Sequence, residues 1–343
     1  MNLKDFYQGK RVLITGGVGS IGSVLVREII QLDPEFIRVF DNNETALFDL
    51  EQDLNSQKLR PLIGDIRDKA RLVMAMEHVD IVFHAAALKH VPICEFNPFD
   101  AIKTNVLGTQ NVLEAGLIQG VGKIITVSTD KAVNPSNVMG ATKLLAERLT
   151  ISANSYRGHK KTAFSCVRFG NVLNSRGSVI PTFLKQIRKG GPISITHPDM
   201  RRFIMDIPSA AKLILIAGIL AEGKEIFILK MPVIRIQDLG EVMKEMFASH
   251  YGYTPNDIET QIIGLRGGEK IDEVLMTTDE TIAAYESDSM YLILPKERPY
   301  GNKTIKPNIP AGFRELSEGI YSSRDLPLLS KEEIRHLLAE LEV

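Results

Sequence analysis

The chain predicts an α/β fold: a Rossmann doubly wound parallel sheet with a smaller C-terminal substrate-binding part. Three observations predict it. Short apolar runs of strand length alternate with segments whose apolar residues recur at helical spacing. The first run ends in a glycine-rich turn, TGGVGSIG (Thr15–Gly22). The alternation holds to about Gly170 and then loosens.

In order, KRVLITGG (Lys10–Gly17) reads as the first strand, and Ile21, Val24, Leu25, Ile29 and Leu32 share one face of the helix after it. FIRVFD (Phe36–Asp41) is the second strand and ETALFDLEQDL the next helix. RPLIGD (Arg60–Asp65), DIVFHAAA (Asp80–Ala87), KIITVST (Lys123–Thr129) and AFSCVRFG (Ala163–Gly170) are four more strands, separated by helical patterns. Further on, GSVIPTFLKQIRKGG, SAAKLILIAGILAEG and QDLGEVMKEMFASHYG read as helices, and EIFILK and TQIIGL as short strands. SKEEIRHLLAELEV is an amphipathic helix with a serine cap and a glutamate three residues later. The expected division is 1–170 as the dinucleotide-binding domain, with later segments adding strands. Residues 171–343 form the substrate-binding part, which closes a cleft.

A net charge of −1 provides no field for nucleic acid or an anionic membrane surface. Two cysteines, Cys94 and Cys166, make neither a disulfide framework nor a metal cage. The N-terminal MNLKDFYQGKRVLITGG lacks a signal-peptide core, and the most apolar stretch, AAKLILIAGILA, is shorter than the ~20 residues of a spanning helix. The expectation is a cytoplasmic protein with no nucleic-acid partner, no membrane and no metal.

Gly16, Gly19 and Gly22 recur every three residues between a strand and a helix, where glycines allow backbone to approach a pyrophosphate. Ser20 and Ile21 open that helix. Asp41 ends the second strand about twenty residues on, where an acid takes ribose hydroxyls; the competing reading is a helix cap for NNETALF. Asp41 favours NAD over NADP, and Asn42 and Asn43 blunt that preference. Asp65 and Ile66, in GDIRD, end the third strand on the adenine side. Asp130 and Lys131 follow the fifth strand, and a carboxylic acid beside an amine offers an acid and a base. The competing reading is an ion pair or a turn cap.

TGGVGSIG, GDIRD, HAAALKHVP, STDKAVNPSNVMGATK, RFGNVLNSRGSVIP and GLRGGEK occur in this order. Together they resemble the extended short-chain dehydrogenases/reductases, and among these the UDP-N-acetylglucosamine 4,6-dehydratases of polysaccharide and pseudaminic acid biosynthesis. The resemblance runs from about Lys10 to the tail. It implies C4 oxidation of a UDP-N-acetylhexosamine by bound NAD or NADP, loss of the C5 proton and the C6 hydroxyl, and return of hydride to C6. It implies that Lys131 takes the C5 proton, Asp130 donates to the C6 oxygen, and Thr129 touches O4. Lys143 would hold the nicotinamide ribose. Ala85, Ala86 and Ala87 would lie against that ribose, and Asn105 would line the cofactor site. Lys89 and His90 would face the substrate, and Asn171 its phosphates. Arg176, Arg202 and Arg266 are candidates for the diphosphate, with Glu269 in the same loop as Arg266; the planar guanidinium fork suits phosphate oxygens. A homo-oligomer is also implied.

Met139 departs from the family pattern, which has a tyrosine one helical turn before the lysine. A thioether neither accepts nor donates the 4-hydroxyl proton. Three readings follow: a dehydratase in which Asp130, Lys131 or a water takes that proton; a C5 epimerase or NADPH-dependent reductase acting on a 4-keto product of another enzyme; or a sugar-nucleotide-binding paralogue without turnover. GLRGGEK also has Gly267 where relatives carry proline.

Overall fold

Strand β1 (Arg11–Thr15) is buried along Val12–Thr15 and has a parallel neighbour on each side, β2 (Phe36–Asp41) and β4 (Ile81–His84). β3 (Leu59–Ile63), β5 (Lys123–Thr129) and β6 (Ala163–Phe169) continue the parallel sheet, with Ile226–Leu229 beside β6. The computed structural model describes residues 2–175, 177–294, 309–316 and 321–340. Full burial of β4 and β6 reflects helices on both faces, so their sequences are apolar runs rather than alternating ones.

The order β3-β2-β1-β4-β5-β6 reverses direction of growth after β1, which makes the carboxyl ends of β1 and β4 the switch point. Thr15 lies opposite His84, and His84 opposite Thr126, so β5 continues through Val127 and Ser128 to Thr129 beyond that register. One apolar cluster under the sheet packs Leu13, Phe36, Phe40, Val82, Ile124 and Phe164 against Leu72, Val112 and Leu113. Each such side chain contributes roughly 1.5–3 kcal/mol when fully buried.

Two features differ from the sequence reading. The fourth strand ends at His84 rather than Ala87: Ala85 N still donates to Thr15 O, and three residues further on Asn105 takes both backbone groups of Leu88. The sheet is also mixed: Met290–Ile293, Ala284–Glu286 and Arg314–Glu315 add three antiparallel strands beyond Ile226–Leu229. The link between Glu286 and Met290 is too short for a parallel crossover.

The chain forms two compact units. The first comprises Met1–Phe169, Ala211–Lys230 and Thr277–Gly319 and holds the large sheet. The second comprises Gly170–Ala210, Met231–Met276 and Ile320–Val343. Its core packs Ile180, Phe183 and Ile187 with Leu239, Val242, Met243, Ile334 and Leu338, from three helices. Among the described residues, no helix is long and apolar enough to cross a membrane, and no group of His, Cys, Asp or Glu is arranged to hold a metal.

Candidate active site

At the end of β1 the backbone turns at Gly16, with φ +68°, into the helix Ser20–Gln31. A Cβ on Gly16 would lie 2.6 Å from the amide nitrogen of Ala86, so only glycine lets this turn lie against the Ala85–Ala87 segment. Gly19 occupies the cap of that helix without a side-chain cap, and Ser20, Ile21 and Gly22 form its first turn. Such a helix start favours an anion through its amides and its dipole.

The Asp41 carboxylate accepts hydrogen bonds from Val18 N at 3.3 Å and Asn43 N at 3.1 Å. It does not cap the next helix: Asn43 does, accepting from Ala46 N at 3.1 Å. Asn42 is exposed beside it. Asp65 is gripped by the Arg67 guanidinium at 2.5–3.0 Å, which holds its carboxyl below the usual range. Ile66 is buried beneath it. A glycine turn, a bare helix start and a carboxylate ending the next strand fit a dinucleotide's pyrophosphate and ribose diol.

His84 ends β4 fully buried, with Nδ1 2.7 Å from Thr15 Oγ1 and Nε2 3.0 Å from Thr109 Oγ1. Burial, helped by the charge of Lys143, pushes its pKa down to about 3. After the Ala85–Ala87 segment, Asn105 Oδ1 accepts from Leu88 N at 2.8 Å, and its Nδ2 donates to Leu88 O and to Thr142 Oγ1, both at 3.0 Å. Asn105 sits in a single widened helical segment, Ile102–Gly108, so its side chain reaches a distant loop rather than its own backbone. Lys89 and His90 are exposed, and His90 occupies the cap of the helix Val91–Phe96.

Asp130–Ala132 forms one tight turn directly after β5. The Asp130 side chain is 1% exposed; its oxygens accept from Lys131 Nζ at 3.1 and 3.2 Å and from Thr129 Oγ1 at 2.6 Å. The helix Val138–Ala153 is capped by Asn137 and seats against this turn through Gly140, whose Cβ would come within 2.3 Å of Lys131 O. Lys143, one turn along, donates from Nζ to Val127 O at 2.6 Å instead of reaching solvent. Burial lowers its pKa below the usual lysine value, against the opposing pull of Glu147. Met139 is buried with Cys94 and Ala101, in contact with Leu88, Val91 and Val138, so the position of the missing phenol is an apolar cluster.

In the second unit, Asn171 Nδ2 donates to Glu273 Oε2 at 2.9 Å and to Phe203 O at 3.2 Å. The Arg202 guanidinium faces Glu273 Oε1 at 3.2 Å and donates to the carbonyls of Lys270 and Ile271. It thus holds the 269–273 loop together rather than standing open towards a diphosphate. Arg266 is exposed, and Glu269 accepts from its backbone N at 3.1 Å. Arg176 lies outside the described residues.

Sequence reasoning missed Thr15, His84, Thr109 and Thr142 in the first unit and Glu273 in the second, each of which holds neighbours in its own unit through side-chain hydrogen bonds. It also missed Arg168, fully buried, which grips Glu147 at 2.7 and 3.0 Å and Glu280 at 3.0 and 3.1 Å. A lone arginine inside the apolar run AFSCVRFG was the available signal.

The fold and this site define an extended short-chain dehydrogenase/reductase of the nucleotide-sugar-modifying class. The chain belongs to the polysaccharide biosynthesis protein family, whose model matches residues 12–295. It is 56% identical over 340 residues to a Methanocaldococcus jannaschii protein described as an uncharacterized membrane protein, covering 99% of this chain and 98% of that one. A Campylobacter jejuni UDP-N-acetylglucosamine 4,6-dehydratase (inverting) is 42% identical over 291 residues, 84% of each chain. A Rickettsia bellii UDP-glucose 4-epimerase is 38% identical over 342 residues, 97% of this chain and 96% of that one. The crystal structure of Pen from Bacillus thuringiensis superposes with a TM-score of 0.90 at 43% identity, covering 98% of both chains.

Proposed function

We propose that the protein is a UDP-N-acetylglucosamine 4,6-dehydratase that makes a UDP-2-acetamido-2,6-dideoxy-4-keto-hexose. The observation that carries this reading is the Thr129–Asp130–Lys131 constellation at the end of β5, with Asp130 buried at its centre and Lys143 beside it. Its relative named as an inverting 4,6-dehydratase supports it.

NAD or NADP, held by the Gly16–Gly22 turn and Asp41, would supply a reversible two-electron acceptor for C4. Every proton step then falls to this chain's own residues. Transfer of one proton across the 3.1 Å contact from Lys131 to Asp130 converts the ion pair into a neutral amine and a carboxylic acid. Burial of Asp130 narrows the free-energy gap between those two states, because a low-dielectric surrounding penalises the charged pair. Lys131 then takes the C5 proton, made acidic by the C4 ketone. Asp130 protonates the C6 oxygen, the C6–O bond breaks and water leaves. Return to C6 of the hydride taken from C4, and of a proton from Lys131 to C5, closes the cycle without net redox change. Met139 takes no part; the 4-hydroxyl proton passes by way of Thr129, whose hydroxyl donates to Asp130 at 2.6 Å, out to water, and one proton taken back from water at the end of the cycle restores the Asp130–Lys131 ion pair. Arg266 and Asn171 are the proposed diphosphate contacts, and Arg202 with Glu273 holds their loop. The protein acts in the cytoplasm as a homo-oligomer, a reading supported by the exposed apolar side chains Ile93, Phe96, Phe99 and Leu145.

Two other readings have specific support. The apolar setting of Met139 favours a C5 epimerase or reductase supplied with a 4-keto sugar, which needs no 4-hydroxyl base. The relative named as a 4-epimerase favours C4 inversion. The purified protein incubated with UDP-N-acetylglucosamine in deuterated water separates them by NMR and mass spectrometry. Loss of water with deuterium at C5 is the expected result. C4 inversion without water loss would replace the dehydratase by an epimerase. No change, followed by C5 exchange in an added 4-keto-6-deoxy sugar, would place the enzyme one step downstream.

A further inference from the structure

The hydrogen bonds around His84 fix its tautomer. The Thr109 hydroxyl donates its one proton to the carbonyl of Asn105 at 2.7 Å. It can therefore only accept from His84, so Nε2 carries the hydrogen. Nδ1 is then bare and accepts from the hydroxyl of Thr15 at 2.7 Å. The neutral ring is in keeping with its burial away from water and with the nearby Lys143 ammonium, the charged group that bears on it from the Val138–Ala153 helix.

The chain of contacts does not stop there. Thr15 is the last residue before Gly16, and Ala85 N donates to Thr15 O at 3.0 Å. Asn105, whose carbonyl ends the hydroxyl chain, holds Leu88 by both backbone groups and reaches Thr142, next to Lys143. One line of hydrogen bonds thus runs from the glycine turn through His84 to the helical segment that pins the Ala85–Leu88 loop. The turn and the loop meet backbone to backbone at Gly16 and Ala86, where there is no room for a Cβ.

We infer that His84 is a positioning residue for the dinucleotide: it sets the spacing between the glycine turn and the Ala85–Leu88 loop. The inference rests on the proposed NAD(P) binding at this turn. An apolar residue of similar size at position 84 would leave the Thr15 hydroxyl without its acceptor and take from Thr109 the donor to its oxygen, breaking the line between turn and loop.

The test is NAD affinity, measured by calorimetry on the full chain freed of bound nucleotide, well below each variant's melting temperature. His84→Leu is expected to weaken NAD binding by about tenfold or more, as expected when the buried Thr15 hydroxyl is stranded and Thr109 loses its donor. His84→Gln, which keeps a donor towards Thr109, should bind at least about threefold more tightly than His84→Leu. Thr109→Val tests the same chain without touching the ring and should also weaken binding, which keeps the inference testable if His84→Leu fails to fold. Nitrogen NMR of the wild type should show the neutral Nε2–H form from pH 5 to 8. Wild-type-like NAD affinity in His84→Leu and Thr109→Val, or a histidine that titrates near its ordinary value, would overturn the inference alone. A wild type that binds no dinucleotide would overturn the cofactor reading with it.

Discussion

Replacing Arg168 by methionine removes the cation that is hydrogen-bonded to both the buried Glu147 and the largely buried Glu280. The Arg168 and Glu147 side chains are 1% and 2% exposed and Glu280 13%. Removing one partner of such a group typically costs about 3–5 kcal/mol, because the remaining charge stays buried without compensation. At roughly 2 °C per kcal/mol for a chain of this size, Arg168→Met should melt about 6–10 °C lower. Burial alone would raise the Glu280 pKa, but the hydrogen bonds and charge of Arg168 outweigh it and hold the pKa below 4.5. The stability this contributes is present above the unfolded value and is lost as pH falls through the depressed folded value. In the variant Glu280, buried without that cation, instead gains stability by taking up a proton, so the deficit should shrink between pH 7 and pH 4.5. Urea denaturation at both pH values, followed by circular dichroism, reads this directly. The double variant Arg168→Met/Glu147→Leu should recover at least half of the loss, since an apolar replacement removes the orphaned charge. A deficit below roughly 1 kcal/mol, or one that widens on acidification, would refute the reasoning.

His84 makes acid destabilising: its folded pKa of about 3 lies below the unfolded value of 6.5, so the unfolded chain binds the extra proton as pH falls below 6.5. At pH 5.5 the wild type should have lost about 1.4 kcal/mol from this group, a loss missing in His84→Gln; equal losses in both proteins would contradict it. Gly16→Ala meets both a left-handed φ and Ala86 N at 2.6 Å, and should abolish NAD binding in a titration while the protein stays folded. Lys131→Met should reduce deuterium exchange at C5 by about a hundredfold or more with NAD affinity unchanged; retained exchange would remove Lys131 from the base role. Met139→Leu, a volume-conserving change in an apolar cluster, should leave turnover within about threefold, and a larger fall would give the sulfur a part in the chemistry.

The first six strands were legible in the sequence, with their boundaries within a few residues, because strands covered on both faces must be continuously apolar and helices must show a stripe. The glycine turn was legible too, since a backbone that passes within 2.6 Å of another leaves no choice of residue. STDKAVNP marked the end of β5 by its charged pair, and Asp130 and Lys131 do pair there. The antiparallel strands 284–286, 290–293 and 314–315 were not legible, because short segments at a sheet edge carry too few residues for a period to show.

The sequence by itself determined the parallel core, the helix start suited to an anion and the acid–amine pair, each written in local residue order. The tertiary structure alone decided which polar groups serve the fold. Arg202, a phosphate candidate by type, is held by the 269–273 loop. His84, Thr109, Asn105 and Leu88 are joined across as many as 25 positions of sequence. A buried donor or acceptor must find its partner in space, and nothing in the order of residues along the chain records where that partner stands.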